Sequence, residues 1–163
     1  MMNNRGLTLI EIMVVIAIVA MLATFALHGY SASEKKVKVE REIKALYANL
    51  QAARLRAFAE KRVWGITWSG SPFTSYEVRY DTDGDESITD SGGYVSAGTV
   101  SGLACPMTRT GTSTYVTFKP TGLSNNPLTF YVAQSNEAEY DCIAVSKTRI
   151  KMGKWNGSTC VKR

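Results

Sequence analysis

The sequence predicts an α+β molecule in which a long N-terminal helix packs against a C-terminal antiparallel β-sheet head. Three observations carry that prediction. Residues 7–62 contain one glycine, Gly29, and no proline, so little stands in the way of a single helix. In the second half of that stretch Ile43, Leu46, Tyr47, Leu50, Ala53, Ala57 and Phe58 recur at spacings of three and four, which is one face of an amphipathic helix. Beyond residue 62 the period changes to two, and turn residues punctuate the chain.

The helix divides into two halves. Residues 1–5 are polar with one cation, Gly6 follows, and residues 7–27 are apolar except for Thr8, Glu11 and Thr24. About 21 residues at 1.5 Å rise cover a hydrocarbon core of roughly 30 Å, so residues 7–28 read as a membrane segment and residues 29–62 as the amphipathic half of the same helix. A cleaved secretory signal is the competing reading, with Arg5 as its basic end and Ser31-Ala32-Ser33 as small residues for cleavage. It leaves Glu11 unexplained. A carboxylate in lipid costs up to a few kcal/mol and needs a partner. A chain cut after Gly6 would present a new α-amine at Leu7, one helical turn from its own Glu11 or opposite the Glu11 of a neighbouring subunit.

The run Arg5-Gly6-Leu7-Thr8-Leu9-Ile10-Glu11 followed by a long apolar helix resembles the prepilin cleavage and assembly motif of type IV pilins and type II secretion pseudopilins. The resemblance implies a pilin-like fold with residues 1–6 as a leader peptide. A prepilin peptidase would cut after Gly6 and methylate the amine of Leu7, and Glu11 would guide docking. It also implies a single-pass inner-membrane protein whose head lies in the periplasm and later joins an extracellular pilus or a periplasmic pseudopilus.

The head, residues 63–163, begins with Trp64, Ile66 and Trp68 in alternation, then Tyr76, Val78 and Tyr80 around Glu77 and Arg79. Further strands are expected over residues 114–119, 128–133, 142–146 and 148–152. Ser69-Gly70-Ser71-Pro72, Gly92-Gly93, Pro120-Thr121-Gly122 and Asn125-Asn126-Pro127 supply the turns. Residues 116–122, together with Ile143 to Lys151, resemble the C-terminal region of the GspH/FimT family of minor pilins and pseudopilins. That family includes secretion pseudopilins, subunits that prime pilus assembly from the tip, and a branch that binds DNA during natural transformation.

The DNA-binding branch carries a Gly-Arg-x-Arg motif, and Arg149 matches its first arginine, with Thr148 in place of glycine and Lys151 in place of the second arginine. On a strand Lys147, Arg149 and Lys151 would share one face, and Lys154 would enlarge the cationic surface. The alternative is a solvated strand face with Trp155 in the core. Charge is segregated in support of either: residues 34–62 hold nine basic and four acidic residues, residues 63–141 three and nine, and residues 142–163 six basic and no acidic ones.

Asp81, Asp83 and Asp85 place carboxylates at alternate positions, a pattern that suits a Ca²⁺ ion, although a hairpin turn asks for the same residues. With a head outside the cytoplasm, the 3 cysteines allow three pairings. We favour Cys142 with Cys160, which leaves Cys105 inert or the true partner of one of them. The sequence lacks Gly-x-Ser-x-Gly, His-Glu-x-x-His and a phosphate loop, and His28 is the sole histidine, so an enzyme is not expected. The expected function is that of a minor pilin or pseudopilin that takes part in priming or tipping a type IV pilus. A DNA-binding minor pilin and a type II secretion pseudopilin are the alternatives, and other pilins, the prepilin peptidase, the inner membrane and DNA are the partners these readings imply.

Overall fold

Alanine, leucine, lysine, arginine and glutamate fill most of residues 33–60, and these strong helix formers build the second half of one continuous helix. The computed structural model describes residues 8–90, 92–134 and 137–162, without the side chains of residues 24–32 and 162. Gly6, Leu7 and Arg163 lie outside the described residues. Helix α1 spans Leu9–Glu60 and passes through Gly29 unbroken. It ends at Lys61, which adopts the left-handed conformation with φ 55°.

Val39, Ile43, Leu46, Leu50, Ala53 and Ala57 form the buried stripe of α1, spaced by three and four. Two expected members depart from it. Tyr47 is half-buried and accepts a hydrogen bond from Gln51 Nε2 at 2.9 Å, while Phe58 is 58% exposed with the Lys61 ammonium 4.0 Å above its ring. Ala57 already fills the inward position of that turn, and Phe58 points about 100° away from it. Glu34–Lys38 and Glu40–Lys44 form ion pairs along the outer face.

Among the described residues nine strands follow: β1 Trp64–Trp68, β2 Tyr76–Asp81, β3 Tyr94–Val100, β4 Thr108–Arg109, β5 Tyr115–Phe118, β6 Leu128–Tyr131, β7 Cys142–Val145, β8 Ile150–Trp155 and β9 Cys160–Lys162. They form two antiparallel sheets rather than one, in the orders β3-β2-β1-β5 and β4-β6-β7-β8-β9. Strands β3, β4 and β9 were not expected from the sequence. The strand expected over residues 148–152 starts at Ile150 and runs on to Trp155, because the Ser146 N–H and hydroxyl both donate to the Arg149 carbonyl and close a turn before it.

Trp68, Phe73 and Phe130 pack together with ring centroids 4.9–5.9 Å apart, joining β1 to β6 where the two sheets meet over α1. Aromatic burial of this kind dominates core energetics. The helix also holds two loops by its carboxylates: Glu40 accepts the Glu139 N–H at 3.1 Å, and Glu42, itself nearly buried, accepts the Ala104 N–H at 3.4 Å. A disulfide joins Cys142 on β7 to Cys160 on β9 with Cα atoms 5.8 Å apart, and Cys105 is a buried free thiol. The expected pairing is therefore the one present.

Candidate functional site

The N-terminal half of α1 is the first candidate surface. Thr8 is extended, and its carbonyl accepts the N–H groups of Glu11 and Ile12, so Glu11 sits in the first helical turn. Every described side chain over residues 8–23 is exposed, with Leu9 at 78% and Leu22 at 65%. A helix apolar on all sides is stable only when covered, and the described side chains of this stretch are left exposed. The described apolar run, residues 9–23, is about 22 Å long. Among the described residues no helix is long and apolar enough to cross a membrane. Glu11 is the one carboxylate in that apolar surface.

The second candidate is the cationic end of the second sheet. Lys147 and Arg149 lie in the turn between β7 and β8, and Lys151 lies on β8; all three are exposed, while Ile150 is buried and Met152 packs on the core. Lys154 is not part of that cluster. It stands three residues from Lys151, on the opposite face of the strand, where its ammonium lies 2.8 Å from Asp141 Oδ2 and donates to the Ala138 carbonyl at 2.9 Å. Asp141 is 3% exposed and also accepts the Trp155 N–H at 2.6 Å. Trp155 is half-buried and stacked on Tyr131 with ring centroids 4.1 Å apart, so its ring is already engaged.

The third candidate is the loop between β2 and β3. Asp81, Asp83 and Asp85 each bring one carboxylate oxygen within 4.8 Å of the others. Asp81 is buried, and both its oxygens are taken by the loop backbone: Oδ1 accepts the N–H groups of Asp83 and Gly84, and Oδ2 accepts that of Glu86. Asp83 is held above the ordinary carboxylate range. The hydrogen bond from the Asp85 N–H pulls it down, but desolvation and the neighbouring Asp85, Asp81 and Asp90 carboxyls outweigh it. These hydrogen bonds hold the turn. Ile88 then folds back over Gly65 of β1, and Arg79 fixes the loop by donating to the Ile88 carbonyl, pairing with Glu77 at 2.6 Å and lying over the Tyr94 ring.

Sequence reasoning missed Glu40, Glu42, Asp141 and Arg79 as organising residues. Only Arg79 left a local trace, two positions from Glu77 on an alternating strand.

Residues 1–27 match the prokaryotic N-terminal methylation motif, and residues 42–148 match the type II transport protein GspH. Among solved structures the chain is similar to the type IV minor pilin FimU of Pseudomonas aeruginosa, at 18% identity and a TM-score of 0.56, covering 79% of this chain and 96% of that one. It is also similar to the minor pseudopilin EpsH from the type 2 secretion system of Vibrio cholerae, at 8% identity and a TM-score of 0.54, covering 75% and 99%. Those likenesses show the fold. No curated protein sequence matches the chain.

Proposed function

This chain belongs to the GspH family of type II transport proteins and carries the N-terminal methylation motif of prokaryotic pilins, and from that premise we propose that it is a minor subunit built into a type IV pilus as part of its priming or tip complex. Before assembly it is stored in the inner membrane through residues 7–28, with the head in the periplasm. A prepilin peptidase cuts after Gly6 and methylates the amine of Leu7. In the fibre the apolar half of α1 packs among the corresponding helices of other subunits, and Glu11 meets a neighbour's α-amine. The observation that carries this reading is the exposed apolar surface of residues 8–23 bearing one carboxylate, four residues beyond Leu7. An opposite charge is the partner that would neutralise that carboxylate in an apolar core.

The test is Glu11→Ala. The variant is expected to remain processed and membrane-bound while its recovery in sheared filaments drops sharply; recovery equal to the parent would remove the role of Glu11. A type II secretion pseudopilin would use the same helix in another machine, and deletion of the chain separates the two by whether pilus assembly or secretion stops. A second reading rests on the exposed Lys147, Arg149 and Lys151 at one end of the sheet. These would bind DNA through phosphate, tolerant of sequence and weakened by salt. Binding that survives Arg149→Ala with Lys151→Ala would remove it.

A further inference from the structure

The loop between β2 and β3 holds Asp81, Asp83, Asp85 and Asp90, and its turn accounts for only some of their oxygens. Backbone N–H groups take both oxygens of Asp81, Oδ1 of Asp83 from Asp85 at 3.3 Å, and Oδ1 of Asp85 from Ser87 at 2.7 Å. Asp83 Oδ2, Asp85 Oδ2 and the carboxylate of Asp90 lie outside those backbone bonds.

Asp90 is the residue that turn geometry does not explain. Its Oδ1 exposes less than 1 Å² to solvent and has no hydrogen-bond partner among the described residues. A carboxylate oxygen withdrawn from water without a partner is costly. The other oxygen of Asp90 points into the cluster. A Cβ on Gly93 would press on Asp90 Oδ2 and stand 2.5 Å from Asp83 Oδ2, so the two carboxylates meet over a residue that leaves them room. Among the described residues no lysine or arginine pairs with any of the four; the ion pair this loop makes, Lys119 with Glu86 at 2.6 Å, uses a different carboxylate. Converging carboxylates with one orphaned, buried oxygen call for a cation.

We propose that this loop is a Ca²⁺ site, in which Asp81, Asp83 and Asp85 give one oxygen each and Asp90 closes the set. One carboxylate oxygen from each of the first three lies within 4.8 Å of the other two. Two ligands of a single Ca²⁺ stand at most about 5 Å apart, since Ca–O distances are about 2.3–2.6 Å. Asp81 Oδ2 accepts only the Glu86 N–H and keeps a second lone pair for the ion. A set made of oxygens alone, without thiolate or imidazole, suits a hard cation. Mg²⁺ suits it less well: bonds of about 2.1 Å would draw the same oxygens to within about 4.2 Å, in a loop whose backbone Asp81 already fixes. The ion ties Asp81 at the end of β2 to Asp90 shortly before β3, and so holds Ile88 over Gly65. The site belongs to the head and stands whether or not α1 assembles as proposed above.

The test is a calorimetric Ca²⁺ titration of the full chain in detergent after stripping with EGTA, with thermal melts alongside. Affinity in the range of extracellular Ca²⁺ modules is expected, a Kd on the order of 10⁻⁴–10⁻³ M. Addition of about 5 mM CaCl₂ should raise the melting midpoint by roughly 3 °C or more. The double variant Asp83→Asn with Asp90→Asn keeps the shape of both side chains; it should melt like the parent in EGTA and bind Ca²⁺ at least about tenfold more weakly. Glu86→Gln, which removes a neighbouring carboxylate outside the set, should bind as the parent does. A parent midpoint that CaCl₂ leaves unmoved, or an equal shift from MgCl₂ at the same concentration, would overturn the inference. So would an affinity unchanged in the double variant, or one lost equally in Glu86→Gln.

Discussion

Gly65 has no side chain because the backbone of β5 and the loop between β2 and β3 occupy the space one would need. A Cβ there would press on the Val116 carbonyl oxygen and stand 2.6 Å from Ile88 Cδ1. Gly65→Val is therefore expected to lower stability by about 1–3 kcal/mol, the usual cost of overpacking, and to speed proteolysis of residues 82–90. Denaturant unfolding and a protease time course check both. Glu40 sets a pH dependence. The Glu139 N–H and then the Lys44 ammonium hold its carboxyl below the ordinary value of 4.5. A depressed carboxyl stabilises the fold above its unfolded pKa, and that contribution is lost as pH falls through the folded value. Thermal melts taken downward from pH 6 should lose stability below about pH 4.5, less steeply in Glu40→Gln. The N-terminal methylation motif over residues 1–27 was legible in the sequence because its signal is local spacing. Glu40 was not, since its partner Glu139 is 99 positions away. Asp141 was not legible either, because only the β7–β8 pairing sets Lys154 and Trp155 beside it.

Among the elements, β1, β2, β6 and β7 announced themselves through alternation or an apolar run, because each has one face or both in the core. Strand β3 has no such pattern to read, being exposed on both faces along residues 95–99. Strand β9 is three residues long and is held as much by its cysteine as by its ladder. The Cys142–Cys160 bridge spans a sequence separation of 18, for which loop-closure entropy gives about 3 kcal/mol. Cys160→Ser should lower unfolding stability by about that amount and expose the amides of β9 to hydrogen exchange before those of β7. Equal protection of β7 and β9 in that variant would count against the bridge as the anchor of β9. The division into two sheets was not legible, because strand partners are set by where the turns send the chain rather than by any strand's composition.

At the scale of the molecule, the helix-plus-head arrangement was readable from one switch of hydrophobic period near residue 62. The charge segregation was readable too, although its acidic part proved to be largely a loop laid over the first sheet. A consequence follows from α1 being one unbroken helix from Leu9 to Glu60. It acts as a keyed shaft: each residue between Glu11 and the core stripe that starts at Val39 sets the azimuth of the head relative to Glu11 by about 100° and its height by about 1.5 Å. One residue inserted after Ser33 should leave the head folded yet turn it to face the wrong neighbour, and filament recovery should fall. Seven inserted residues restore the azimuth to within about 20° and raise the head by roughly 10 Å, so recovery should partly return. Sheared-filament yields from the two insertions, compared at equal expression, measure whether the assembly reads the angle of the head or only its distance from the membrane.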